Sequence, residues 1–185
     1  RTGIALCYIK ANRIIEEWVV RDDLAVLQCL GLDLEATVAR LAQRDLGNAQ
    51  ASEVHGEIER TVGQQAPEPY PVPPPAAFDV DWFVRRTLHE VWNRRMVGEM
   101  RGAYAPNYLC HTMGNRNLYG RGEYTEWMLC LLAAFPDAQM IVDQLYWMDD
   151  GDGHYRTSLR WSLLGTHTGH GIFGAPTNVR CRIWG

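Results

Sequence analysis

Residues 138–169, AQMIVDQLYWMDDGDGHYRTSLRWSLLGTHTG, decide the fold. Two runs rich in apolar, β-branched and aromatic residues flank the turn Asp150-Gly151-Asp152-Gly153, where Asp and Gly supply the positive φ of a tight reversal. The stretch reads as one long β-hairpin. Before it, GRGEYTEWMLCLLAAFPD (120–137) gives a helix over about Glu123–Ala134 that stops ahead of Pro136. Further back, DVDWFVRRTLHEVWNRRMV (79–97) sets Trp82, Phe83, Leu88, Val91 and Trp92 on one side and arginines on the other, as an amphipathic helix does. A loop carrying Tyr104, Pro106, Tyr108, Cys110 and His111 joins the two helices, and TNVRCRIWG (177–185) begins another strand. Helices followed by strands is the order of an α+β domain with helices over one face of an antiparallel sheet.

The first 78 residues have a different texture. Strand, turn and strand follow in IALCYIKANRIIEEW (4–18), with the reversal at Ala11-Asn12-Arg13. Asp22 or Asp23 can then cap a short helix whose Leu24, Leu27 and Leu30 share a face, stopped by Gly31. A second helical pattern runs from Leu34 to about Ala42, and a loose one spans Val54 to Val62. APEPYPVPPPAA (66–77) packs six prolines into twelve residues, which admits neither helix nor central strand and reads as a stiff linker.

Composition narrows the function classes. With 185 residues, 46% of them hydrophobic, the chain suits one compact domain with an appendage. A net charge of -4 with acidic and basic residues interspersed gives no footprint for nucleic acid or an anionic membrane. No apolar run reaches the roughly 20 residues of a membrane span, so the expected location is cytoplasmic. Cys7, Cys29, Cys110, Cys130 and Cys181 are odd in number and show no CxxC spacing. The expectation is reduced thiols, with Cys7, Cys29 and Cys130 in the core.

The run FPDAQMIVDQLYWMDDGDGHYRTSLRWSLLGTHTGHGIFGAPT (135–177) resembles the SnoaL-like polyketide cyclase family, which has the nuclear-transport-factor-2-like cone fold. The resemblance extends over residues 80–184, with Asn178 in place of the glycine expected after Pro176-Thr177. Residues 4–32 resemble the same family, but its C-terminal end. The implied fold class is α+β, a cone-shaped curved antiparallel sheet wrapped around helices. Its expected division is a hairpin and short helix over 1–32 that complete the cone, a helical and Pro-rich linker over 33–78, and the main unit over 79–185. That order is a permutation, or a trimmed tandem pair, and brings Gly185 and Ile4 together in one sheet. In a second reading residues 1–32 are the end of a lost upstream domain; in a third each hairpin completes a neighbouring subunit, giving a homodimer with exchanged hairpins.

Such cones enclose a pocket, and the resemblance implies a small-molecule ligand there. Trp18, Cys110, Tyr119, Trp127, Tyr146 and Trp161 are the candidate ligand contacts, within a wider set of aromatics that includes Trp82, Trp92 and Trp147. Family members that cyclise polycyclic esters use a carboxylate on the last strand and a His on the strand before; here Val19 takes the first place and Ala5 or Leu6 the second. Strand alternation puts Glu17 on the side of Val19, which makes Glu17 a substitute base, and His111 is its proposed partner in proton transfer. His111, His154, His167 and His170 lack the spacing of a metal site, and no carboxylate follows DDGDG at the twelfth position of a calcium loop. Neither a metal nor a cofactor is expected. Two function classes follow: a cofactor-free acid/base isomerase, cyclase or hydrolase, and a non-catalytic ligand-binding or dimerisation module.

Overall fold

The computed structural model describes residues 3–46 and 67–185, so the loose helix expected at Val54 to Val62 lies outside the described residues. The chain divides into two compact units, one of residues 1–55 with 110–118 and one of residues 56–109 with 119–185.

In the first unit, β1 (Gly3–Lys10) and β2 (Arg13–Arg21) form an antiparallel hairpin turned by Ala11 and Asn12, both at positive φ. Leu6 stands opposite Trp18 and Cys7 opposite Glu17, with an irregularity at Tyr8/Ile9. Helix α1 (Asp23–Cys29) starts at its cap Asp22 and is followed by Gly31 at φ 64°. Helix α2 runs over Leu34–Leu46, a turn beyond the reading from sequence, with the Ala36 amide donating to the Asp33 carboxylate at 2.7 Å. The remaining segment carries most of a short hairpin, β3 (Leu109–Thr112) and β4 (Arg116–Tyr119), turned by Gly114 and Asn115 at positive φ. Asp22 fastens this turn as well: its carboxylate accepts from the amides of Ala25, Gly114 and Asn115, each at 3.0 Å.

The second unit holds α3 (Val80–Leu88), the short α4 (Met100–Ala103), α5 (Gly120–Ala134) and the sheet β5 (Gln139–Gly151), β6 (His154–Thr166) and β7 (Arg180–Trp184) in that order. Asp79 caps α3 through the Trp82 amide at 2.9 Å. The helix read from sequence as continuous becomes a π-helical turn at His89–Asn93, which carries Glu90, Val91 and Trp92 inward. At its end Asn93 grips β5 as a strand neighbour does, donating to Met140 O at 2.9 Å and accepting from Met140 N at 2.6 Å. Val91, Met128 and Leu164 are fully buried at the core. The β5–β6 reversal uses Gly151, Asp152 and Gly153 at positive φ, as its sequence requires. Asn178 stands at φ 56°, a left-handed position that Asn tolerates where the family's glycine is expected.

Among the described residues β1 pairs with β2, and β5, β6 and β7 pair in that order. The expectation of core cysteines is corrected: Cys29 and Cys130 are exposed and Cys7 is half-buried. Each of the first two sits in an apolar stretch of a helix, but on its outer face. The proline-rich segment, read as a linker, is hydrogen-bonded along α3 and the π turn.

Candidate functional site

The candidate residues are shared between the units: Glu17, Trp18, Cys110 and His111 lie in the first, Tyr119, Trp127, Tyr146 and Trp161 in the second. Glu17 is exposed on β2, and its Oε1 accepts from the Cys7 thiol across the hairpin at 3.5 Å. Burial first and then the Glu17 carboxylate push the Cys7 thiol up, so it stays protonated at neutral pH. His111 is exposed on β3, with Nδ1 2.7 Å from Asn117 Oδ1, an acceptor that fixes Nδ1 as the protonated nitrogen. The hydrogen bonds of the two proton-transfer candidates therefore go to Cys7 and Asn117.

The candidate ligand contacts differ in accessibility. Trp18 is half-buried opposite Leu6, and Cys110 is half-buried with its thiol 3.9 Å from the carbonyl of His111. Tyr119 is largely exposed and serves α5 through its amide, which donates to Glu123 at 2.8 Å. Tyr146 is exposed on β5 opposite Ser158. Trp161 is half-buried opposite Val142, and a Cβ at Gly185 would meet its ring at 2.9 Å. Of these six, Trp127 belongs to an aromatic cluster within its unit.

That cluster is the most organised feature of the second unit. Trp127 stacks on Tyr124 at 5.9 Å and meets Trp92 edge-on at 6.3 Å. Tyr124 in turn touches Tyr104 at 5.4 Å and Tyr108 at 5.2 Å, and those two rings lie 5.0 Å apart. Trp92 and Tyr124 form the buried floor, while Tyr104, Tyr108 and Trp127 are half-buried and give the cluster a wet edge. Among the described residues the buried Trp92 Nε1 has no hydrogen-bond partner, an unmet donor in a cluster of five rings. The π turn explains how Trp92 reaches this place, since an extra residue in the turn rotates it inward. Sequence reading had Trp92 and Trp127 but passed over the tyrosines; the signal was Tyr104 and Tyr108 four apart in YAPNY, with Tyr124 one helix later.

Elsewhere the polar side chains tie elements together. Asp137 accepts from Thr166 N and Oγ1 at 2.6 and 2.8 Å and from Arg180 at 3.1 Å, joining the α5–β5 corner to β6 and β7. His167 is buried against Phe135 and Phe173, with Nδ1 3.2 Å from Thr177 Oγ1. Among the described residues no group of three or more His, Cys, Asp or Glu is placed to hold a metal ion. No helix of the described residues is long and apolar enough to cross a membrane.

Comparison with known proteins places this arrangement. The SnoaL-like polyketide cyclase family matches residues 83–183, more than half of the chain. Among solved structures, AclR from Streptomyces galilaeus, described as a candidate hydroxylase, is 23% identical with a TM-score of 0.45. The match covers 56% of this chain and 61% of that one, so the chain spans less than two thirds of AclR's length. A candidate SnoaL-like polyketide cyclase from Jannaschia sp. CCS1 is 19% identical, with a TM-score of 0.45 and coverage of 55% and 69%. A candidate polyketide cyclase from Acidithiobacillus ferrooxidans is 22% identical, with a TM-score of 0.43 and coverage of 55% and 71%. No curated protein matches. The α+β architecture and the family match over α3 to β7 agree, and the chain belongs to the SnoaL-like polyketide cyclase family.

Proposed function

We propose that the second unit binds a small, mostly apolar molecule against the aromatic cluster. The observation that carries this reading is the run of five rings from Trp92 through Trp127 and Tyr124 to Tyr108 and Tyr104, three of them half-buried. Flat apolar ligands gain contact area there, and the unmet Trp92 N–H favours a ligand with an acceptor oxygen, such as a ketone or ester. Among the described residues no disulfide forms, which fits a reducing, cytoplasmic setting.

Binding ranks above acid/base catalysis because Glu17 and His111 are both exposed and bonded to other partners. A thermal-shift and tryptophan-fluorescence screen of lactones, aromatic polyketide-like acids and epoxides tests the proposal. At least one class raises the melting temperature, Trp127→Ala and Tyr108→Ala remove that shift, and Glu17→Gln leaves it in place. A hit indifferent to both aromatic substitutions, or no hit at all, counts against the cluster. A ligand converted by the wild type and untouched by Glu17→Gln would restore the acid/base reading.

A further inference from the structure

The stretch Pro67-Glu68-Pro69-Tyr70-Pro71-Val72-Pro73 alternates proline with other residues, and the alternation has a structural counterpart. Each of the three non-proline residues gives one backbone group to the helix beneath. Glu68 O lies 2.9 Å from His89 Nε2, Tyr70 N donates to Glu90 Oε1 at 3.1 Å, and Val72 O accepts from Trp82 Nε1 at 3.1 Å. The prolines between them have no N–H to place, and at these positions none is needed. As the segment advances from 68 to 72 the helix contacts retreat from 89 and 90 to 82, so the two run antiparallel. Four residues of extended chain cover roughly 12 Å and seven helical residues roughly 10 Å, which keeps both in step.

The helix side is prepared for this task. Asn93 Nδ2 lies 3.2 Å from His89 Nδ1, which leaves Nε2 as the donor toward the Glu68 carbonyl. Glu90 is buried at 4% exposure and divides its oxygens, Oε2 to Arg94 at 2.6 Å and Oε1 to the Tyr70 amide. Burial opposes its charge, but the Tyr70 amide and Arg94 outweigh burial and hold the carboxyl below its usual range. Arg86 lies over the Trp82 ring at 5.7 Å and is itself held by Glu99 at 3.0 Å, which steadies the indole. A groove of about 520 Å³ opens here between Trp82, Arg86 and Glu90 on one side and the prolines on the other. All three contacts read the strap backbone, two carbonyls and one N–H, so the helix face accepts proline at each position between them and reads no strap side chain.

We propose that Trp82, His89 and Glu90 form a recognition site for an extended X-Pro-X-Pro-X chain, which residues 68–72 occupy as a displaceable strap and which accepts the same pattern from another polypeptide once the strap leaves. The test is a full-length variant in which residues 67–75 are replaced by Gly and Ser, with folding checked by circular dichroism. A labelled peptide of residues 67–75 binds this variant, and binds the wild type at least tenfold more weakly because the site is filled. A peptide carrying Tyr70→Pro lacks the N–H for Glu90 and loses about tenfold or more, as does Trp82→Phe in the replaced variant. A folded variant that ignores the peptide at millimolar concentration, or binds the Tyr70→Pro peptide equally well, overturns the proposal. Should the replaced variant unfold, hydrogen exchange in the intact protein decides: excess peptide of residues 67–75 displaces the strap and speeds exchange of the Tyr70 amide at least tenfold, and the Tyr70→Pro peptide does not. A Tyr70 amide whose exchange is unmoved by millimolar peptide overturns it equally.

Discussion

Asp22 shows how much one carboxylate can organise. It caps α1 through Ala25 and closes the β3–β4 turn through Gly114 and Asn115, which lie 92 and 93 residues further along the chain. These amides, Ala25 first, pull its carboxyl below the usual range. A carboxyl depressed in the folded state contributes stability that is present above its unfolded value of about 3.9 and is lost as pH falls through the lower folded value. Asp22→Ala is expected to weaken the first unit by about 1–3 kcal/mol at neutral pH, read by denaturant titration. Asp22→Asn keeps one acceptor and flattens the acid dependence below about pH 4. The cap was legible in the sequence, because an Asp before a short leucine-rich helix has a local signature. The clamp on Gly114 and Asn115 was not, since nothing in either segment announces the other.

At the level of elements, the π turn at His89–Asn93 is the feature that no periodicity revealed. Trp82, Phe83, Leu88, Val91 and Trp92 fit one helical face closely enough that the extra residue left no mark on the pattern. Its cause lies in β5: Asn93 supplies both a donor and an acceptor to Met140 on the outer edge of that strand, the task a missing neighbouring strand would have. Asn93→Ala leaves the Met140 amide and carbonyl unpaired and is expected to cost the second unit about 2–4 kcal/mol, seen as a lowered melting temperature. Asn93→Asp restores the acceptor alone and falls between. By contrast, the β5–β6 hairpin was read correctly, because its turn chemistry and its alternating strands are adjacent in the chain. The β3–β4 hairpin passed as loop: four-residue strands carry too little alternation to stand out.

For the molecule as a whole, the two units differ in how much they bury. Most of the large buried side chains, among them Met128, Leu164 and Trp92, are in the second unit; the first unit buries Leu118, but β1, β2 and α1 contain no fully buried residue. Ile4, Ile9 and Ile14 of the first hairpin are more than half exposed. Urea unfolding should therefore depart from a single transition, with the first unit melting earlier. Trp18 is the one tryptophan of that unit, and Trp18→Phe removes the early change in fluorescence while leaving the later one. A single step that Trp18→Phe leaves unaltered would contradict this division. The α+β class and the family were legible because strand patterns and the GTHTG run are local.

The two outward-facing thiols acquire a practical meaning from that division. Cys29 belongs to one unit and Cys130 to the other, both are accessible, and neither is bridged. Maleimide dyes or nitroxide spin labels attached there, once Cys7, Cys110 and Cys181 are replaced by serine, turn the polypeptide into its own ruler, reporting by energy transfer or dipolar spectroscopy on ligand- and strap-dependent rearrangements.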